Sequence, residues 1–236
     1  MTPHEHLLKE WLESDADAVF RRFAGRGPHV RHDGAWPDTR ILYVPGPRPD
    51  RVLLLAHVDT VWDGHPTYPV PVHLAEGVFS STRDDLGIGA DDRAGCALLW
   101  ALADLGHSIL LTSGEERGCL ASRWIAEERT DLLDELNAHH FMVQFDRQGC
   151  GQFKCYDVGT DAFRAYVQTA TGFGEPDRLR GTDITVLARR VCGVNLSVGY
   201  HHEHTPQETL VVAEWERTLR TARAWLGSGE LPEFRR

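Results

Sequence analysis

An α/β fold, with a mostly parallel mixed sheet sandwiched between helices in three layers, is predicted by three observations on this 236-residue sequence. Apolar runs of strand length alternate with stretches of helical periodicity, the pattern of βαβ units. The run RVLLLAHV at residues 51–58 is almost continuously apolar, as a strand buried on both faces would be. Acidic residues and histidines gather directly after such runs, where open sheets build their sites beyond the carboxyl ends of strands.

Taken in order, Leu7, Leu8, Trp11, Leu12, Ala16, Val19 and Phe20 form one helical stripe over residues 4–23, and residues 25–34 read as loop. Strands follow at 39–44 and 51–58, divided by the turn PGPRPD. Prolines break the next stretch, leaving short β segments around 70–74 and 77–80. Small and apolar residues (AGCALLWAL) make 92–105 a helix packed on the sheet. Strand 108–112, helix 120–127, strands 141–145 and 152–156, and helices 162–169 and 183–188 continue the alternation. Strand 193–200 and a closing helix over 210–226 complete it. Trp100, Trp124, Trp215 and Trp225 fall within helices and read as core packing. No repeat, low-complexity segment or linker appears, so residues 1–236 read as a single catalytic domain.

Composition narrows the partners. A formal net charge of −10 argues against nucleic acid or an anionic membrane, both of which require a basic footprint. No run approaches the ~18 apolar residues of a membrane span. The first twenty residues lack the apolar core of a signal peptide. Five cysteines, an odd number without a targeting signal, imply reduced thiols in a cytoplasm.

Five segments carry the chemistry: LLLAHVDT, GIGADDRAG, LLTSGEERG, FMVQFDRQG and GYHHEHTPQE. They place His57, Asp91, Glu115, Glu116, Asp146 and His204 where strands end and loops begin. Those donors suit two zinc ions sharing a carboxylate, with one acid left over to activate water. Competing assignments exist within the segments. Asp84 and Asp85 rival Asp91, and His201 and His202 rival His204. Glu115 and Glu116 could cap the following helix instead. His139 and His140, just before a strand, read as solvated.

The ordered motifs H-x-D, G-A-D-D-R-x-G, G-E-E-x-G, F-D and H-T-P-x-E resemble the co-catalytic zinc exopeptidase superfamily, which includes peptidase T, leucyl aminopeptidases and glutamate carboxypeptidases. The resemblance spans roughly residues 50–225. It implies that Asp91 bridges two metals, that His57 and Asp146 complete one site, and that Glu116 and His204 complete the other. It implies Glu115 as general base. Asp59, two residues beyond His57, is placed to accept that imidazole's second N–H and support catalysis. Asp92 adjoins the bridge through a peptide that is commonly cis in the superfamily. Thr182 and Asp183 resemble a G-T-D element near the site, and Glu208 reads as support for the His204 loop. Two zinc ions are the implied cofactors, with cobalt or manganese also suited to such donors.

One departure is visible. Many relatives insert a dimerisation or lid domain between the Asp146 and His204 segments, whereas only positions 147–203 lie between them here, filled by core elements. Groups that a lid would supply must then be local, and Arg147, Arg180, Tyr200 and His202 are the candidates. The loops 60–71 and 172–181 are placed to shape an open cleft. The function implied is hydrolysis of amide bonds in short peptides, as an aminopeptidase or dipeptidase. An N-acyl amino acid amidohydrolase would use the same chemistry, and a non-catalytic metal-binding protein could keep the ligands alone.

Overall fold

The computed structural model describes residues 1–34, 39–177 and 181–236. Its centre is a seven-stranded sheet in the order β1 (Val30–His32), β2 (Ile41–Val44), β6 (Ser108–Thr112), β3 (Leu53–His57), β7 (Met142–Arg147), β9 (Gly193–Ser197) and β8 (Phe153–Lys154). The four inner strands β6, β3, β7 and β9 run parallel; β1, β2 and β8 join antiparallel at the edges.

Strand β3 shows why this sheet needs cover on both faces. Leu54 and Ala56 pack with α1 (Pro3–Leu12), α2 (Ala16–Ala24), α3 (Ala90–Leu102), α6 (Asp161–Thr171) and α8 (Val212–Leu226) on one side. Leu53 and Leu55 pack with α4 (Leu120–Glu128), α5 (Thr130–Leu136) and α7 (Asp183–Leu187) on the other. Successive strand residues face opposite ways, so a strand between two helical layers must be apolar throughout. Each of these leucines is fully buried, worth about 1.5–3 kcal/mol in transfer from water. The three-layer prediction holds.

Several elements differ from the sequence reading. The stripe over 4–23 is two helices: Ser14 Oγ turns back to Glu10 O at 2.6 Å, and the Asp15 side chain caps α2 by accepting the Ala18 N–H at 2.6 Å. Residues 25–34 contain the short edge strand β1, and α5 fills a stretch where no helix was expected. The strand expected over 193–200 stops at Ser197, because Gly199 takes φ 104° and a Cβ there would lie 2.8 Å from Trp215 N. His139 is fully buried rather than solvated, with Nδ1 3.0 Å from Leu136 O, and His140 is half-buried with Nδ1 2.7 Å from Leu231 O.

A second sheet was not anticipated. β10 (Tyr200–His201), β11 (Thr209–Val211), β5 (Val78–Ser81) and β4 (Val72–Ala75) form a four-stranded antiparallel sheet. β11 takes the first residues of the expected closing helix, which begins at Val212. This sheet matters to function because the β10–β11 loop carries His204 and Glu208. Among the described residues no helix is long and apolar enough to cross a membrane.

Candidate active site

The parallel strands bring their acidic and histidine side chains to one edge of the main sheet. His57 ends β3, Asp146 lies one residue from the end of β7, and Glu115 and Glu116 follow β6. Asp91 opens α3, with a cis peptide to Asp92. His204 reaches in from the small sheet at φ 63°.

Asp91 is the hub. Its Oδ1 lies 3.1 Å from His57 Nε2 and its Oδ2 lies 3.1 Å from His204 Nε2. His57 Nε2 is also 3.5 Å from Asp146 Oδ1, and His204 Nε2 is 3.0 Å from Glu116 Oε1. Two trios therefore share one carboxylate, an oxygen each. His201 points elsewhere, its Nε2 2.7 Å from Glu214 Oε2, and His202 is exposed. Asp84 and Asp85 are exposed too, Asp85 pairing with Arg83.

The donor types of these trios suit divalent cations, and their spacing approaches that of a zinc shell. Donors around a tetrahedral zinc with bonds of 2.0–2.2 Å sit about 3.3–3.6 Å apart, and the separations here run from 3.0 to 3.5 Å. Glu116 Oε1 is buried, with His204 Nε2 3.0 Å away as its partner. Donor atoms of His57, Asp91 and Glu116 lie within 4.8 Å of one another, as do those of His57, Asp92 and Asp146. Asp92 is already committed: Oδ2 accepts the His57 N–H at 3.2 Å and Oδ1 the Gly95 N–H at 3.0 Å. Asp91 and Asp146 are left to serve the His57 side.

The charged groups of the site shift one another strongly. Burial disfavours charge on His57, yet hydrogen bonds with Asp146, Asp59 and Asp91 hold its pKa well above the ordinary value. Hydrogen bonds with Asp91 and then Glu116 raise His204 to about 10. Burial would raise Asp91, but His204 and His57 hold it below the usual carboxylate range. Glu115 belongs to neither trio. Burial, reinforced by the Asp146 charge, pushes its carboxyl up to about 9.

A surrounding frame fixes these groups. His57 Nδ1 lies 3.0 Å from the Asp59 main-chain oxygen and 3.5 Å from Asp59 Oδ1, so the backbone makes the closer contact. The Asp59 carboxylate instead accepts the N–H groups of Glu115 and Glu116, each at 3.2 Å, tying both glutamates to the His57 strand. Thr182 Oγ1 donates to Asp146 Oδ2 at 2.6 Å, and Tyr200 OH to Asp146 Oδ1 at 3.3 Å. Glu208 accepts the N–H groups of Gly89 at 2.7 Å and Asp91 at 3.0 Å. Asp183 does not reach the trios. Its carboxylate binds Thr112 Oγ1 at 2.5 Å and Ser122 Oγ at 2.6 Å, joining the end of β6 to α4.

The cleft over the trios measures about 380 Å³, and Arg147 and Tyr200 line it. Arg180 lies outside the described residues, while Gly181 of the 172–181 segment lines the cleft. Residues of the 60–71 loop line a different pocket, which meets the Asp59 side. Gln148, Tyr156 and Glu203 also line the cleft, and sequence reading missed all three. It also missed Gln144 and Asn195. Gln144 Nε2 donates to Asp146 Oδ2 at 3.1 Å and Thr182 Oγ1 at 2.8 Å. Asn195 accepts the Asp146 N–H at 2.9 Å and donates to the Asp146 carbonyl at 2.6 Å. A signal existed for these two: a lone amide within an apolar strand must find buried partners.

No protein-family model and no curated protein sequence matches this chain. Solved structures do match. Aminopeptidase PepT from Bacillus cereus superposes with a TM-score of 0.70 at 16% identity, covering 95% of this chain and 98% of that one. A tripeptidase from Staphylococcus aureus gives 0.70 at 14% identity, covering 95% and 97%. An aminopeptidase from the archaeon Desulfurococcus kamchatkensis gives 0.63 at 13% identity, covering 96% and 95%. Likeness at such identities is likeness of architecture: the chain has the three-layer α/β fold of these peptidases.

Proposed function

We propose that this chain is a two-metal hydrolase that cleaves amide bonds of short peptides, working as a catalytic domain without an inserted lid. The observation that carries the reading is the Asp91 carboxylate, which offers one oxygen to the His57 side and the other to the His204 side. His57, Asp91 and Asp146 would hold one cation; Asp91, Glu116 and His204 would hold the second. Bound zinc, or cobalt or manganese in its place, supplies a polarised scissile carbonyl and a more acidic water.

The protein's own groups do the rest. Glu115, unligated and held by its backbone to Asp59, takes the proton of the attacking water and delivers it to the leaving nitrogen. Thr182 and Tyr200 hold Asp146 in place through hydrogen bonds to its two oxygens.

The test is a panel of di- and tripeptides with free and blocked amino ends, given to metal-loaded protein before and after a chelator. Chelator-sensitive release of amino acids supports the proposal. Hydrolysis of N-acyl amino acids alone moves the reading to an amidohydrolase, and a loaded protein inert on the whole panel removes it.

A further inference from the structure

We infer that Arg147, with Tyr156, forms a subsite for the free α-carboxylate of the substrate residue on the leaving-group side, so the preferred substrates are very short peptides ending just past the scissile bond. This rests on the peptidase reading above and specifies its substrate.

The backbone is built to present Arg147. In a regular strand Asp146 and Arg147 would face opposite sides of the sheet. Here the register of β7 against β9 is irregular between Gln144 and Arg147: three steps along β7 match two along β9, from Asn195 to Ser197. Such a bulge re-aims side chains next to sites. Both Asp146 and Arg147 consequently line the same cleft.

The charge pattern gives that placement a meaning. Asp91, Glu115, Glu116, Asp146 and Glu203 also line the cleft, yet Arg147 forms no ion pair among the described residues. Its Nη2 donates to the neutral amide oxygen of Gln152 at 3.3 Å, and its buried Nε has no partner. A guanidinium without a carboxylate partner among the described residues is available to an incoming one, and charge-assisted pairing of this kind is strong. Tyr156 stands beside it, close enough for the Arg147 charge to act on its hydroxyl. That hydroxyl accepts from Asn195 Nδ2 at 3.3 Å, leaving its own proton to donate. Tyr156 holds φ 50°, a backbone conformation uncommon for a non-glycine residue and one that functional positions tolerate. The cleft volume of about 380 Å³ is small, in keeping with a short ligand.

The test uses leucyl-leucine and leucyl-leucinamide, which differ only in the terminal carboxylate. Binding is measured by calorimetry on metal-loaded Glu115→Gln protein, and turnover on wild type. The acid should bind about 10- to 100-fold more tightly than the amide. Adding Arg147→Ala should abolish that preference by weakening the acid alone, and Arg147→Lys should retain part of it. Equal binding of acid and amide, binding of neither, or a preference that survives Arg147→Ala overturns the inference. If the acid binds with an Arg147-dependent preference but wild type never cleaves it, the peptidase reading fails and the subsite stands.

Discussion

Glu208 holds Asp91 by its backbone: Glu208 Oε1 accepts the Asp91 N–H at 3.0 Å, while Oε2 accepts the Gly89 N–H at 2.7 Å. Because His204 shares the β10–β11 loop with Glu208, that loop grips the Asp91 turn twice, once through the main chain and once at the carboxylate. The small sheet thereby positions the hub of the site on the large one.

Glu208→Ala should accordingly loosen both fold and metal. It leaves two enclosed N–H groups without an acceptor, about 1–3 kcal/mol for each. Metal affinity should fall about 10- to 100-fold, the usual consequence of losing an outer partner of a ligand. Thermal unfolding and a metal titration check this; a variant matching wild type in both would contradict the clamp.

Metal stoichiometry should separate the trios. His204→Ala removes a donor from one side and should leave one ion per chain. Asp91→Ala removes the shared donor and should leave none bound tightly. Elemental analysis after dialysis reads the difference. Two ions retained without Asp91 would rule out a bridge.

Glu115→Gln should keep two ions and the native unfolding temperature while turnover drops by about 10²- to 10⁴-fold. Steady-state rates on a cleaved peptide, with metal content measured on the same sample, decide it. An unchanged rate would remove Glu115 as the base.

The inner sheet and the candidate site residues were legible because burial on both faces makes β3, β6 and β7 largely apolar, and the polar candidates cluster where those runs stop. His57, Glu116 and Asp146 announce themselves this way. The small sheet was hidden: β10 and β11 are two and three residues long, too short to show a period. The break between α1 and α2 could be read in hindsight from Asp15, a good N-cap placed inside an unbroken stripe. Asp183 shows the limit of a motif, since a G-T-D segment fixes sequence neighbours but not which way each side chain turns. Tyr156 carried no pattern at all; only the folded chain brings it beside Arg147.

His139 should contribute a loss of stability on mild acidification. Burial lowers its folded-state pKa to about 4, against about 6.5 in an unfolded chain. Between those values the unfolded state binds the extra proton, so stability falls as pH drops from about 6.5 towards 4. The total is on the order of 3 kcal/mol, at about 1.4 kcal/mol per pH unit. Denaturant unfolding of wild type and His139→Gln across this range tests it. The variant should show a shallower decline, and identical slopes would assign the pH response to other groups.

The most direct test of the whole account is anomalous diffraction at the zinc edge from crystals of zinc-loaded protein. Two peaks are predicted, one between Asp91, His57 and Asp146 and the other between Asp91, His204 and Glu116, with Glu115 outside both coordination shells. A single ion, or zinc seated away from Asp91, would contradict it.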